Sequence, residues 1–215
     1  MIDVRRAASR DVTQTDWLVS RHSFAYGAHY DPDNASYGRL VAHNEDVLAP
    51  GAGFASHRHR GVDLVTWVVS GTLVHEDSLG NRGEVTPGVV QVLSAGTGVE
   101  HVERNGSTVE PVYYVQAWVA PDDPDLPPTY ALSTATSAEV AGGRFSVERL
   151  AAGQRAGVGG APYVHLFLAR GALQLDQVAL AAGDAVRLTA QLTQVRATEP
   201  CELLVWTMAA ALGGR

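Results

Sequence analysis

Hydrophobic residues along this chain recur in short runs, and many of them alternate with polar residues at a period of two. β-Branched and aromatic residues dominate these runs, and each run stops at glycine, serine or proline, as strands do. The clearest predicted strands cover residues 62–69, 89–93, 111–120, 163–169 and 203–208. Long stretches of helical periodicity are almost absent. Many short strands between glycine-rich turns predict an all-β protein, built as a sandwich or a barrel.

Two further segments organise the predicted strands. Residues 78–83 form a turn cluster of the kind that closes a hairpin. Four prolines between residues 121 and 128 cannot lie inside a helix or a central strand. We therefore predict an N-terminal domain at residues 1–120, a Pro/Asp-rich linker at 121–129 and a C-terminal domain at 130–215. Weak echoes between the halves, such as glycine before an alternating strand at Gly71 and Gly171, are consistent with a duplicated barrel.

Composition excludes several classes of function. The 215 residues are 46% hydrophobic and 18% charged, which supports a packed core and excludes global disorder. A net charge of -7 argues against a nucleic-acid partner, because phosphate binding needs a basic face. The chain has no lysine, which excludes Schiff-base chemistry and a lysine-dependent phosphate loop. Its single cysteine, Cys201, excludes an internal disulfide and a cysteine-based zinc site.

Targeting signals are also missing from the sequence. No apolar run reaches the roughly 18 residues of a membrane-spanning helix. The polar N-terminal segment lacks the hydrophobic stretch of a signal peptide. We therefore expect a cytoplasmic protein without a membrane partner.

Two pairs of potential metal ligands carry the chemistry. His57 and His59 are spaced i, i+2, so in a strand their imidazoles share a face while Arg58 points away. His101 and Glu103 repeat the spacing. If these strands are neighbours in one barrel, three nitrogens and one carboxylate oxygen converge. That donor set suits Fe(II), Mn, Co, Ni, Cu or Zn, and an octahedral ion would keep two positions for water, dioxygen or substrate.

Other candidate residues have simpler explanations. The histidines outside the two pairs are expected in hydrogen bonds or in the core rather than on a metal: His22, His29, His43, His75 and His165. Phe54 and Trp67 could line an aromatic substrate pocket or belong to the barrel core, and the sequence leaves both readings open.

Several motifs together resemble a known family. The glycines and histidines around the two ligand pairs resemble the two cupin motifs, and the chain is similar more specifically to pirins. The motif HEDSLGNRG is highly specific to pirins among cupins. The stretches that carry the resemblance are residues 21–27, 44–46, 50–54, 57–60, 65–71, 75–83 and 96–103.

The resemblance implies a bicupin: two β-barrel (double-stranded β-helix) domains, with a metal-binding N-terminal domain and a degenerate C-terminal one. The family's ligands carry over to His57, His59, His101 and Glu103. The expected cofactor is one divalent metal per chain, Fe(II) by family precedent, with Mn, Co, Ni, Cu or Zn as alternatives. Some cupins take a glutamate ligand four or five positions after the second histidine, where this chain has Asp63 and Leu64.

Two departures from the family pattern lie near the expected pocket and affect substrate preference. Arg58 stands where the family often has proline, and Val102 stands where it often has serine. Bacterial-type pirins are similar to quercetin 2,3-dioxygenases, which open the flavonol ring with O2 and release CO. We therefore predict a monomeric metal-dependent dioxygenase with a small aromatic, flavonol-like substrate. Glu103 is the expected general base.

Two alternatives use the same metal site. The first is a non-enzymatic, iron-binding, redox-sensitive regulatory protein that acts through a protein partner. The second is an isomerase or hydrolase that uses the metal as a Lewis acid.

Overall fold

The structure of the protein, a computed structural model, describes residues 1–213. The last two residues of the predicted C-terminal domain, 214 and 215, lie outside the described residues. The described chain is all-β, as predicted, and its only helices there are the single 3-10 turns Ala7–Ser9 and Pro32–Asn34. The strands are β1 Ile2–Arg5, β2 Asp11–Gln14, β3 Leu18–His22, β4 Leu40–Leu48, β5 Gly53–His59, β6 Asp63–Ser70, β7 Leu73–Asp77, β8 Arg82–Val85, β9 Val90–Ser94, β10 Val99–Asn105, β11 Val112–Val119, β12 Thr129–Ser133, β13 Ser137–Val140, β14 Gly143–Leu150, β15 Arg155–Gly159, β16 Tyr163–Arg170, β17 Ala172–Leu175, β18 Val178–Ala181, β19 Ala185–Thr189, β20 Leu192–Ala197 and β21 Cys201–Met208.

The strands predicted most clearly from the sequence are all present. They correspond to β6, β9, β11, β16 and β21, and each predicted end lies within two residues of the observed one. The predicted hairpin is also confirmed, because β7 and β8 pair antiparallel on either side of the 78–81 turn. The two-barrel, bicupin fold class is confirmed as well.

The strands fall into two compact units. The first unit contains residues 11–36 and 40–141, and its two sheets have the strand orders β12-β9-β6-β11-β4-β3-β2 and β5-β10-β7-β8. The second unit contains residues 1–10, residues 37–39 and the chain from Gly142 onward. Its sheets include the orders β1-β19-β16-β21-β14 and β15-β20-β17-β18. Each unit thus has one larger sheet and one four-stranded sheet.

These units divide the chain differently from the predicted boundaries at residues 120 and 130. Strand β1 pairs antiparallel with β19 and so belongs to the second unit. Strand β12 begins at Thr129, the last residue of the predicted linker, and pairs with β9 in the first unit. The proline-rich residues 121–128 contain no strand. Hydrogen bonds between strands far apart in sequence cause the difference, since local composition does not reveal a strand's partner.

A β-bulge shapes the pairing between β5 and β10. His57 lies opposite His101 and Phe54 lies opposite Glu103, so between these pairs two residues of β5 stand opposite one residue of β10. An extra residue reverses the alternation of faces on its own strand. Phe54 and His57 therefore face the same cavity despite their odd spacing.

Among the described residues, no helix has the length and apolar character that crossing a membrane would require.

Candidate metal centre

Three histidines meet on the inner face of the β5–β10 pair. His57 and His59 alternate along β5 with the exposed Arg58, while His101 is buried on β10. Their ligand atoms all lie within 4.8 Å of one another, and the Nε2 atoms of His57 and His101 are 2.9 Å apart. The i, i+2 spacing thus places the imidazoles as the sequence predicts.

The nitrogens of this cluster fit a divalent ion. The Nδ1–H of His57 donates to the carbonyl oxygen of Ala55 at 2.8 Å, which leaves the lone pair of Nε2 facing the cluster. The Nε2 of His59 is buried without a hydrogen-bond partner. Two imidazole nitrogens bound at right angles to an ion at about 2.1 Å would be about 3 Å apart, close to the observed His57–His101 separation.

Burial keeps these imidazoles in the form that binds metals. Burial lowers the pKa of His59 to about 4, and the neighbouring His57 adds to the effect. Burial also lowers the pKa of His101 to about 3, with further contributions from the surrounding histidines. Both rings are therefore neutral at pH 7, and a neutral imidazole is the form that offers a lone pair to a metal.

Glu103 is buried on β10 with only 2% of its surface exposed. Burial, with a smaller contribution from the nearby Asp46, raises the pKa of Glu103 to about 7, although hydrogen bonds from Gln116 and Gln91 act to lower it. Its Oε1 accepts a 2.8 Å hydrogen bond from the side-chain amide of Gln116. Its carboxylate forms a second group of close donors with His75 and His101, all within 4.8 Å. That group shares His101 with the three-histidine cluster but does not include His57 or His59, so the ligand role of Glu103 stays a prediction.

The cluster opens onto a cavity of about 170 Å³ in the first unit. Its walls combine aromatic rings with hydrogen-bonding groups, which suits a small aromatic ligand with polar substituents. The lining residues are Thr13, Leu18, Ser20, His22, Tyr26, Asn44, Asp46, Phe54, His57, His59, Glu103, Tyr114, Gln116 and Trp118. Of the two aromatics considered from the sequence, Phe54 lines this cavity, whereas Trp67 is 1% exposed and fully buried in the protein.

Two polar residues of the cavity were not identified from the sequence. Asp46 is buried on β4, and its Oδ1 has no hydrogen-bond partner. Burial raises the pKa of Asp46 to about 7, although hydrogen bonds from Ser20 and Tyr114 act to lower it. Gln116 is held in one orientation because its Oε1 accepts the indole N–H of Trp118 at 3.1 Å. The available signal was polar residues inside otherwise apolar strand runs, His43, Asn44 and Asp46 in β4 and Gln116 in β11, a pattern rare in barrel cores.

Asp63 does not join the cluster. Strand β5 ends at His59 and β6 begins at Asp63, so the face shared by His59 does not continue to the carboxylate. Burial raises the pKa of Asp63, and its side chain is hydrogen-bonded to Ser94. That Asp63 has no ligand role stays a prediction.

Three of the histidines outside the two pairs, His22, His43 and His165, do not belong to the cluster. His22 is hydrogen-bonded through Nε2 to Thr13 at 2.8 Å and through Nδ1 to Asn44 at 2.9 Å. The Nδ1 of His43 lies 3.2 Å from the hydroxyl of Ser23. His165 is fully buried on β16.

Two β-barrels with a histidine cluster in one of them define a bicupin with a candidate metal centre. The pirin family model matches residues 4–119, more than half of the chain, and the chain therefore belongs to the pirin family.

Similar proteins extend the comparison to the whole chain. A Mycobacterium tuberculosis protein named "Putative quercetin 2,3-dioxygenase" is 42% identical over 99% of this chain and 97% of that protein. The quercetin 2,3-dioxygenase of Escherichia coli is 38% identical over 60% of this chain and 56% of that protein. The crystal structure of the bacterial pirin YhhW from Escherichia coli, in complex with nickel(II), superposes with a TM-score of 0.92 at 25% identity, covering 98% of this chain and 100% of that chain.

Proposed function

We propose that this protein is a metal-dependent dioxygenase of the quercetin 2,3-dioxygenase type. The observation that carries the proposal is the set of three converging imidazoles, His57, His59 and His101, at a cavity walled by aromatic and polar groups. The names of its relatives in Mycobacterium tuberculosis and Escherichia coli support the same reaction class.

We propose one divalent ion per chain, held by His57, His59, His101 and Glu103. Fe(II) is the proposed metal, and the existence of a nickel(II) complex of the similar Escherichia coli pirin supports a divalent ion. When bound, such an ion supplies a Lewis acid that lowers the pKa of a coordinated hydroxyl, together with access to O2 chemistry.

Glu103 is the proposed general base. Because its pKa is raised to about 7, the carboxyl can take up and release a proton near neutral pH. The amide of Gln116 donates to Oε1, and Gln116 is itself oriented by the indole of Trp118. This chain of hydrogen bonds fixes the carboxylate that would receive the proton of a substrate hydroxyl.

The cavity limits the substrate. About 170 Å³ is below the roughly 300 Å³ at which pockets for drug-sized ligands begin. We propose that a flavonol buries one hydroxylated ring here and leaves the remainder at the mouth. Phe54, Tyr26 and Trp118 offer ring faces and edges to the buried part, and Asp46 offers an unpartnered carboxyl oxygen.

The proposal also covers the cellular location, the oligomeric state and the co-substrate of the reaction. We propose that the protein acts in the cytoplasm as a monomer, on a small aromatic substrate and O2, without a nucleic-acid partner. The reaction would consume one O2 and release one CO for each flavonol opened.

The test is a metal analysis followed by an aerobic assay. The protein is purified without chelator, its metal is quantified, and portions are reloaded with Fe(II), Ni, Mn, Co, Cu or Zn. Loss of flavonol absorbance with matching O2 consumption and CO release is expected with at least one metal. The matched control is His57→Ala, which should be inactive with all of them.

The other outcomes discriminate between the alternatives. A metal-loaded protein that leaves flavonols unchanged would contradict the dioxygenase and favour a regulatory protein with a protein partner. Turnover that continues without O2 would instead favour an isomerase or hydrolase with a Lewis-acid metal.

A further inference from the structure

The motif HEDSLGNRG at residues 75–83 has no role in the proposed reaction, yet one of its residues contacts the candidate metal centre. It forms the end of β7, the following turn and the start of β8. His75 is fully buried on β7, and its Nδ1 lies 3.4 Å from the Nδ1 of His101. The motif therefore contacts the ring of His101 through the nitrogen that faces away from His57.

Hydrogen bonds around Asp77 determine which ring nitrogen of His75 carries the proton. The Oδ1 of Asp77 accepts the backbone N–H groups of Leu79 at 2.9 Å and Asn81 at 3.0 Å. The side-chain amide of Asn81 donates to Oδ2 at 2.9 Å. Surrounded by donors, the Asp77 carboxylate also accepts from the Nε2 of His75 at 3.1 Å. His75 therefore has its proton on Nε2 and a lone pair on Nδ1.

The tautomer of His75 in turn determines which nitrogen of His101 carries the proton. Because the Nδ1 of His75 offers a lone pair, a hydrogen bond to it requires the proton of His101 to lie on Nδ1. The Nε2 of His101 faces the Nε2 of His57 at 2.9 Å, and His57, with its proton on Nδ1, offers a lone pair there as well. The single proton of a neutral His101 can satisfy only one of these two neighbours, and when it lies on Nδ1 the Nε2 of His101 is bare. A bare Nε2 is what a divalent ion needs from this residue.

We propose that Asp77 and His75 form a hydrogen-bonded relay that holds His101 in the tautomer with a bare Nε2. Both are positioning residues, and the inference rests on the metal site proposed above but not on dioxygenase activity. Partners of this kind fix the tautomer and ring orientation of metal-bound histidines in general.

Packing around His75 supports the relay. The ring of Tyr130 stacks on His75 with centroids 4.5 Å apart and planes inclined by 12°. The hydroxyl of Tyr130 donates to the Oε1 of Gln91 at 3.2 Å. A side chain at Gly83 would collide with that hydroxyl. The glycine of the motif thus leaves room for the ring that holds His75 in place.

The substitution Asp77→Asn tests the relay with almost no change of shape. The two backbone N–H groups still need Oδ1 as an acceptor, so the new amide group must donate toward His75. His75 would then accept at Nε2 and donate from Nδ1, which moves the proton of His101 to Nε2. We expect ¹⁵N NMR of the metal-free protein to show His101 protonated at Nδ1 in the parent and at Nε2 in the variant. Affinity for the added metal ion should fall about 10- to 100-fold.

The matched control is Glu76→Gln. Glu76 is the neighbour of Asp77 on β7, and it pairs with Arg82 and Arg104 on the half-exposed side of the strand. The control removes the same charge without touching the relay, so tautomer and affinity should match the parent. A second variant, His75→Phe, keeps a ring beneath Tyr130 but removes both nitrogens. We expect it to give mixed His101 tautomers and weaker metal binding.

Three results would overturn the relay. The first is a parent protein whose His101 is protonated at Nε2 when metal-free, a measurement that needs no variant. The second is an Asp77→Asn protein with parental tautomer and affinity. The third is a parent that binds two equivalents of metal and loses one in His75→Phe, which would make His75 a ligand. None of these readouts depends on flavonol turnover, so a failed dioxygenase assay would leave the relay standing.

Discussion

The two four-stranded sheets of this protein share one topology but differ in the side chains that face the barrel interior. The orders β5-β10-β7-β8 and β15-β20-β17-β18 are equivalent strand by strand. In the first sheet Glu103 pairs with His75 across the strands. In the second sheet the corresponding pair is Val195 and Leu175. Buried ionisable groups in one sheet thus correspond to aliphatic side chains in the other.

The difference shows that the barrel does not require the polar cluster. The second sheet fills its interior with packed aliphatic residues, including Val158, Leu173, Leu175, Val195 and Ala197. In the first sheet burial disfavours the charged forms of the ionisable groups, which raises the pKa of Glu103 and lowers the pKa of His101. We infer that the candidate metal centre is a site added to a scaffold that folds without it, and the predictions below test that separation.

The largest expected effect is loss of metal from the first barrel. Each of His57→Ala and His101→Ala removes one nitrogen of the cluster, so most of the metal should be lost while the fold remains. Metal quantification and circular dichroism measure the two properties. Asp63→Asn is the control and should keep its metal, because Asp63 lies outside the cluster. Full occupancy in either alanine variant, or two interior equivalents in the parent, would contradict the single site.

The next effect separates the base from the ligand. In Glu103→Gln the amide oxygen can still bind a metal weakly, but an amide does not accept a proton near neutral pH. We expect partly retained metal and turnover reduced by at least roughly a hundredfold, within the usual range for general bases. Steady-state kinetics and metal content are measured on the same samples. Normal turnover in Glu103→Gln, together with metal loss in Asp63→Asn, would move the carboxylate ligand to Asp63.

A substitution in the core of the second barrel should have the opposite result: it should lower stability without changing the metal content. Leu175 is fully buried, so Leu175→Ala should lower the free energy of unfolding by about 2–5 kcal/mol through lost burial and a residual cavity. Metal content should stay at the parental level, as judged from urea unfolding and metal analysis of the folded protein. A variant that keeps its stability but loses metal would show that the two barrels are not separable in this way.

The smallest effect concerns the pH dependence of stability in the metal-free protein. Burial raises the pKa of Asp46 to about 7 from an ordinary value of 3.8. The folded state therefore binds the proton more tightly, and its contribution is complete below about pH 4 and lost as pH rises toward 7. Each unit of raised pKa corresponds to about 1.4 kcal/mol. Asp46→Asn should therefore gain roughly 1–4 kcal/mol relative to the parent between pH 4 and pH 8, as measured by urea unfolding. A constant difference across this range would contradict the assigned cause.

Much of the fold was predictable because strands are encoded locally. The alternation in residues 62–69 and 111–120 placed β6 and β11 within one residue of their observed ends. The spacing of His57 with His59, and of His101 with Glu103, likewise indicated which side chains share a face. Both inferences use the period of two that any strand imposes on its side chains.

The remaining features depend on partners distant in the sequence. Strands β1 and β12 lie in units that local composition does not indicate, because their hydrogen bonds are made to β19 and β9. Asp46 becomes a cavity residue only when β4 is paired. The contact of His75 with His101 follows from a register that places β7 beside β10. Pairing and register are therefore what the sequence pattern left undetermined.

The bulge in β5 has a consequence for how such a site could disappear during evolution. The pairing of β15 with β20 runs without a register shift, whereas β5 gains a residue between Phe54 and His57. The bulge lets Phe54 and His57 share the cavity face across an odd spacing, and the Ala55 carbonyl within it holds the ring of His57. An in-frame deletion of Ala55 or Ser56 would restore a regular ladder, keep Phe54 opposite Glu103, remove the bulged backbone that holds the ring of His57, and leave every histidine codon intact. We therefore expect loss of the metal centre among related genes to begin with deletions in this segment as well as with replaced ligands.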